Sequence, residues 1–246
     1  MTADTPPQPG ARLPIGGTNV QAKIAEAAIN LFYARGAAAT TVRDITSACG
    51  LTPGALYNHF ASKDQLLYVL VRDVHLRVDA ELITALARAG DRPACQLAAG
   101  VRLLVAQAAS QRKESRVANR EFTALTSAGR QEVIAIRRRM RDRLTDVLEA
   151  GTQNGTFTLT GTQDRAAAAL TANVIATMCA NISEWTRDNH PMTMADLQDR
   201  YVQMALRLVG FAPPTAPPVA PPTAPSVAAP TAPSVVPPSA QARDVS

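Results

Sequence analysis

Apolar residues recur every three to four positions along most of the chain, which is the period of a helix that buries one face. The first such stretch covers 20–35 and ends at Gly36. Thr18 and Gln21 precede it with the spacing of a capping box, in which two side chains satisfy free backbone N–H groups. This pattern predicts a first helix at the start of an all-α chain.

Two short helices joined by a tight turn are predicted next. Thr41 has the position of an N-cap residue for the first, and Gly50 ends it. Thr52 has the same position for the second, with Pro53 at the first helical residue, where a missing N–H costs nothing. A serine–glutamine capping box beginning at Ser62 then opens a long fourth helix.

Further amphipathic segments follow Gly90 and predict helices over 93–109, 116–125, 131–150, 164–187 and 194–209. The segment 164–187 carries so little charge that it is expected to be buried on most sides. Beside its apolar face it has a polar row spaced by four, Asn173, Thr177 and Asn181. A third row of small residues would permit close approach of another helix, as expected at an interface, and consists of Ala169, Ala172, Ala176 and Ala180. The polar row is compatible with the wall of a ligand cavity and with hydrogen bonding inside a core.

The two ends of the chain lack this periodicity and are expected to be disordered. The arm 1–17 is polar and Pro-rich. The tail 212–246 repeats Pro-Thr-Ala-Pro at Pro214, Pro222 and Pro230, and such a segment is typical of extended polyproline chains. The tail is expected to be solvated, with a docking motif as the alternative.

Composition narrows the class of protein without identifying it. Apolar residues make up 46% of the chain and the formal charge is +5, which is compatible with nucleic acid but does not require it. Three scattered cysteines indicate reduced thiols in a cytosolic protein. No apolar run is expected to cross a membrane. Nucleophile, phosphate-loop and metal-binding motifs are absent from the sequence, so neither an enzyme nor a cofactor is predicted.

The two short helices and their turn fit a helix-turn-helix. Gly54 and Ala55 are expected on the outer face of the second helix, where small side chains allow it to enter a major groove about 12 Å wide. Tyr57, one turn later, has a hydroxyl suited to a phosphate oxygen. Helix starts also favour phosphate, and Thr41, Thr52 and Lys63 are placed there. The alternative is a helical hairpin in an unrelated core, where Tyr57 would only pack.

Three runs of sequence resemble the DNA-binding domain of the TetR family: Thr41–Ile45, Leu51–Phe60 and Ser62–Leu67. The resemblance is dense over roughly 24–70 and implies a three-helix DNA-binding domain at 18–65. It implies DNA contacts from Thr41, Thr52, Pro53, Gly54, Ala55, Tyr57, Asn58, His59 and Lys63. Ala55 departs from the family, which often has a hydroxyl residue there. His59 is equally compatible with a phosphate contact and with a half-buried structural role.

The resemblance further implies a helical ligand-binding and dimerisation domain at 66–211, with the last two long helices of each subunit forming the dimer. The run 119–122, the arginines of 133–143 and Trp185 are similar to family members that sense acyl-CoA thioesters. The ligand-binding residues predicted on this basis are Phe122, Asn173, Thr177, Met178, Asn181 and Trp185. The arginines fit either a coenzyme A phosphate or a solvated helix face.

Together these features predict a cytoplasmic, homodimeric repressor. It binds palindromic double-stranded operator DNA and is released by a small apolar effector such as an acyl-CoA. The alternative is an architectural DNA-binding protein without an effector, although such a protein would not need the long helical region after the helix-turn-helix.

Overall fold

The computed structural model describes residues 19–187 and 190–212, and this part of the chain is helical without strands. It confirms the predicted all-α fold class. The predicted arm 1–17, the Thr18 half of the first capping box and the tail from 213 onward lie outside the described residues. The α-helices are α1 Asn19–Arg35, α2 Val42–Ala48, α3 Pro53–Tyr57, α4 Lys63–Arg88, α5 Pro93–Ser110, α6 Arg112–Arg120, α7 Ser127–Gln153, α8 Arg165–Ala180, α9 Ile182–Trp185 and α10 Met194–Leu208.

Two clusters of buried apolar side chains organise these helices. The N-terminal cluster joins α1, α2, α3 and the first half of α4, and it also takes in Val117, Ala118, Leu125 and Val133 from the region of α6 and α7. The C-terminal cluster joins the end of α4 with α5, α7, α8 and α10. Helix α4 contributes to both clusters. The domain boundary at 65/66 therefore stays a prediction, because apolar packing continues across it.

Three predicted helices have different bounds in the structure. The segment predicted at 116–125 is α6, which begins at Arg112, followed by a 3-10 helix over Glu121–Ala124. Helix α7 begins earlier than predicted because the Thr126 hydroxyl accepts a hydrogen bond from the Gly129 N–H. The helix predicted at 164–187 is interrupted at Asn181, which ends α8 and precedes the short α9.

The prediction that no run could cross a membrane is wrong by length and composition. The segment Arg165–Trp185 has a mean hydropathy of 1.4 over its most apolar window and is long enough to span a bilayer. It is nevertheless two helices, and α8 places Ala168, Ala172, Ile175 and Cys179 in the C-terminal core. We therefore interpret α8 as a bundle helix that packs one face into the C-terminal core.

Candidate DNA-binding face and cavity

The turn between α2 and α3 is fixed by three buried side chains and one glycine. Ile45 and Leu56 are fully buried, and Phe60 is nearly so. Gly50 has φ of +68°, a left-handed conformation that side chains disfavour, so glycine suits this turn. These anchors hold α3 against the bundle by one face and leave its opposite face outward.

The outward face of α3 carries four of the predicted DNA-contacting residues, namely Pro53, Gly54, Tyr57 and Asn58, which are exposed. Tyr57 is 55% exposed, and its hydroxyl has no hydrogen-bond partner within the described residues. Ala55 and His59 are half-buried. The outward face of α3 therefore has small, exposed residues at its start. At its end it has an exposed tyrosine hydroxyl without a hydrogen-bond partner among the described residues.

The two threonines predicted as N-cap residues behave differently. The Thr41 hydroxyl accepts a hydrogen bond from the Asp44 N–H at 3.1 Å and donates to the Asp44 carboxylate at 2.7 Å. This confirms Thr41 as the N-cap residue, and it means that the Thr41 hydroxyl is already hydrogen-bonded to Asp44. The pKa of Asp44 lies below its usual value. The largest cause is the hydrogen bond from the Thr41 backbone N–H, and the Thr41 side chain and Arg35 lower this pKa by smaller amounts. Thr52 also precedes its helix but makes no side-chain cap, so its hydroxyl stays free for another partner.

Lys63 holds the start of α4 against the loop between α1 and α2. Its Nζ donates hydrogen bonds to the carbonyl oxygens of Ala37 at 2.6 Å and Thr40 at 2.8 Å. An ammonium has three N–H donors, so one remains available to a further acceptor. The Ser62 hydroxyl caps α4 as predicted, but the Gln65 carboxamide accepts from the Ala61 N–H instead of the Ser62 N–H.

A cavity of about 220 Å³ lies between α4, α5, α6, α7 and α8. Among the residues that the structure describes, its wall combines aliphatic side chains with a few polar ones and has no carboxylate. The lining residues are Val74, His75, Val78, Leu104, Gln107, Ala108, Ser115, Ala118, Asn119, Arg137, Met140, Arg141, Ala176, Thr177 and Ala180. An apolar cavity with a few convergent polar groups is the usual form of a small-molecule site.

Arg137 and His75 form the polar centre of this wall. The Arg137 Nε–H donates to His75 Nε2 at 2.8 Å, which requires His75 to carry its proton on Nδ1, where it donates to the Val71 carbonyl at 2.7 Å. Burial, followed by the Arg137 charge, lowers the pKa of His75 to about 4. His75 is therefore neutral at physiological pH. The Arg137 guanidinium also lies over the Phe122 ring, with its Cζ 4.4 Å from the ring centroid.

Of the predicted ligand-binding residues, Thr177 alone lines this cavity. Phe122 reaches it through the Arg137 guanidinium, and Met178 packs against the C-terminal core. Asn173 and Asn181 are exposed. Trp185 is 41% exposed and packs edge-on against the His190 ring, with centroids 5.3 Å apart.

The five arginines between positions 133 and 143 of α7 separate into three environments. Arg137 and Arg141 line the cavity. Arg139 and Arg143 both pair with the buried Asp79 carboxylate of α4, at 3.5 and 3.0 Å. Arg138 is exposed. Neither a common phosphate patch nor a uniformly solvated face describes this helix. Sequence reasoning also missed His75, whose only signal was its place on the buried side of α4.

Large apolar side chains of α8 and α10 are exposed in the single chain, and together they are called the exposed apolar surface of α8 and α10. Leu170 is 67% and Val174 45% exposed on α8, and Met204 and Leu208 are exposed on α10. The expectation that α8 is buried on most sides is wrong within one chain. The expected interface row of small residues also divides, because Ala172 is buried in the core of its own chain and Ala176 lines the cavity.

Two family models match the chain. Residues 24–69 match the model described as bacterial regulatory proteins of the tetR family, and residues 90–209 match the tetracyclin repressor-like C-terminal domain. The first match covers the helix-turn-helix, and the second covers most of the cavity wall.

Individual relatives agree with these models. The chain is 40% identical over 73 residues to the transcriptional repressor KstR2 of Mycolicibacterium smegmatis, a match that spans 30% of this chain and 32% of that protein. A crystal structure of a tetR-family regulatory protein from Rhodococcus RHA1 superposes with a TM-score of 0.71 at 29% identity, covering 80% of this chain and all of that one. The structure of AibR with isovaleryl coenzyme A and operator DNA superposes with a TM-score of 0.65 at 23% identity, over 79% and 100%.

Proposed function

Because the chain belongs to the TetR family of bacterial regulatory proteins, we propose that it is a cytoplasmic repressor that binds palindromic operator DNA as a homodimer and leaves it when an effector fills the cavity. The observation that carries this proposal is the outward face of α3, held by Ile45, Leu56 and Phe60 on a chain matched by both family models. Membership of this family confirms the prediction of a regulator and not an enzyme.

The proposed DNA contacts come from the exposed face of α3 and the residues beside it. Pro53 and Gly54 allow close approach to the groove, while the free hydroxyls of Thr52 and Tyr57 and the remaining donor of Lys63 are placed for phosphate oxygens. The test selects DNA fragments bound by the purified protein from its source genome, then measures affinity at several salt concentrations. We expect a palindromic site and a steep loss of affinity with salt. Failure to enrich any sequence would contradict the proposal.

The proposed dimer uses the exposed apolar surface of α8 and α10. A helix-turn-helix dimer reaches two half-sites, so this surface is expected to be covered by a second copy. Val174→Arg should separate the subunits, because a charge placed in a closed interface lacks both water and a partner. Ile83→Arg is the matched control, since Ile83 on α4 is 44% exposed and Val174 is 45% exposed. Sedimentation velocity should show a monomer for Val174→Arg alone, and an intact dimer would place the interface elsewhere.

The proposed effector site is the cavity between α4 and α8, and acyl-CoA thioesters are its first candidates. Support comes from AibR, which shares the fold and was solved with isovaleryl coenzyme A and operator DNA. A ligand releases DNA only by preferring a conformation in which the recognition helices no longer match the grooves. Helix α4 is suited to transmit this change because it lines the cavity and contributes to the N-terminal cluster.

The effector proposal is tested by titrating the protein–operator complex with isovaleryl-CoA and octanoyl-CoA and following fluorescence anisotropy of the DNA. We expect release by at least one of them. The matched variant is Ala176→Leu, which fills space in the cavity wall far from α3 and should keep operator binding while losing release. Release of this variant at wild-type effector concentrations would remove the cavity from the mechanism.

An architectural DNA-binding protein without an effector remains the second candidate. The sensor is favoured over the architectural protein by Gln107 in the cavity wall. This residue is half-buried, and its Oε1 has no hydrogen-bond partner within the described residues. Thermal denaturation separates the two functions: a sensor is stabilised by the compound that releases it from DNA, whereas an architectural protein is not.

A further inference from the structure

The cavity wall carries positive charge that no acidic side chain in the described part of the chain balances. Its ionised residues are Arg137 and Arg141, which lie one helical turn apart on α7, and the described lining contains neither Asp nor Glu. His75 adds no charge because it is neutral at physiological pH. Two like charges therefore point toward the same half-buried space.

Of the groups in residues 19–187 and 190–212, only neutral ones hold the Arg137 guanidinium in place. Its Nε–H donates to His75 at 2.8 Å, and its Nη2 donates to the Ala118 carbonyl at 3.2 Å. The Phe122 ring covers one of its faces. These contacts fix the orientation of the guanidinium but leave its charge uncompensated, and burying a charge without an opposite partner is costly.

Other arginines of this chain show how such a charge is normally balanced. Arg139 and Arg143, on the same helix, share the Asp79 carboxylate. Arg72 pairs with Glu132 and Arg120 with Glu184. Within the described residues, Arg137 and Arg141 make no ion pair. The difference indicates that the partner of these two arginines is supplied by a ligand.

The rest of the wall restricts the ligand in size and polarity. Val74, Val78, Leu104 and Met140 provide aliphatic surface in the same wall as the arginines. The volume of about 220 Å³ is below the roughly 300–1,000 Å³ of sites for drug-sized molecules. A whole coenzyme A conjugate would have to leave most of its length outside this space.

We propose that the part of the effector inside the cavity is a compact anionic group, whose negatively charged oxygens bind between Arg137 and Arg141, and that adjoining hydrocarbon lies against Val74, Val78, Leu104 and Met140. This inference rests on the proposed function, since it names the ligand class of the same cavity. A free carboxylate and the anionic part of a short conjugate share this chemistry, because each places oxygens where a guanidinium can donate two hydrogen bonds.

The test measures ligand binding to the full-length protein without DNA, by isothermal titration calorimetry with octanoate, the neutral octanamide and octanoyl-CoA. We expect octanoate or octanoyl-CoA to bind at least roughly tenfold more tightly than octanamide, the scale of a charge-assisted hydrogen bond. Tighter binding of octanoate identifies a free carboxylate as the source of the charge, and tighter binding of octanoyl-CoA identifies the conjugate.

The variants Arg137→Gln and Arg141→Gln should each weaken binding of the anion at least roughly tenfold, while leaving octanamide binding unchanged. Arg138→Gln removes the same charge from the exposed side of α7 and is the matched control. Should Arg137→Gln fail to fold, Arg141→Gln still decides the outcome, because the described residues give its side chain no ion pair to lose.

Three results would overturn the inference: octanamide binding as tightly as the anions, arginine variants that retain wild-type affinity, or failure of octanoate and octanoyl-CoA alike to bind. A protein that binds the anion as expected but stays on its operator would instead contradict the proposed regulatory function. The two failures are therefore distinguishable.

Discussion

Replacing His75 with Gln should remove a pH dependence of folding stability that the wild-type chain has between pH 6.5 and about 4. The ring is buried against the Arg137 guanidinium, so its pKa falls from 6.5 to about 4 on folding. Above pH 6.5 the ring is neutral in the folded and unfolded chains, and it contributes no pH dependence. As the pH falls below 6.5, the unfolded chain takes up a proton that the folded chain does not, and the wild type loses stability.

The size of the effect follows from the shift. A change from 6.5 to about 4 corresponds to about 3 kcal/mol of unfolding free energy at about 1.4 kcal/mol per pKa unit, fully developed near pH 4. Glutamine retains an acceptor for the Arg137 Nε–H but does not titrate. The difference in unfolding free energy between wild type and His75→Gln at pH 7 therefore measures the lost ring packing and serves as the baseline.

The assay is urea denaturation of wild type and His75→Gln at several pH values from 7 to 4. Carboxylates that titrate in this range are common to both chains and cancel in the difference. We expect the stability of wild type relative to the variant to fall by about 3 kcal/mol between pH 7 and pH 4. Parallel stability profiles across this range would refute the account of a buried neutral imidazole.

Two further variants test the packing and the DNA-binding face. Gly151→Ala should lower the unfolding free energy by about 1–3 kcal/mol, because its Cβ would overlap the buried Phe157 ring. Gly54→Ala should not lower it, because the nearest neighbour of its Cβ would lie at 3.9 Å. Equal losses of stability in thermal denaturation would contradict this reasoning. Tyr57→Phe should leave stability unchanged but weaken binding to operator and unrelated DNA alike by roughly tenfold, as expected for a lost hydrogen bond to phosphate. A change in sequence preference alone, measured by fluorescence anisotropy, would show that the hydroxyl reads a base.

The helix-turn-helix could be predicted from the sequence because its determinants are local. Thr41 and Asp44 form a capping box three residues apart. Gly50 lies between the two helices in sequence and supplies the turn between them. Each of these interactions is completed within one short segment. The family resemblance covers the same segment, so pattern and resemblance agree on this part of the fold.

The cavity could not be predicted in the same way because five helices build its wall. The spacing of α7 puts Arg137 beside Arg141 and Arg139 beside Arg143, but it does not distinguish the two pairs. What distinguishes them is Asp79, which lies on another helix and neutralises only the second pair. Likewise, the polar row of α8 is regular in sequence, yet only Thr177 within it reaches the cavity.

The mixed origin of the N-terminal apolar cluster has a consequence for protein engineering. Residues 18–65, expressed as an isolated DNA-reading module, would expose the surfaces that now contact Val117, Ala118, Leu125 and Val133. A chimera that grafts these residues onto a foreign sensor would lose the same contacts unless the acceptor supplied equivalent ones. Exchange of specificity between regulators of this kind should therefore succeed better when the segments around α6 and the start of α7 travel with the module.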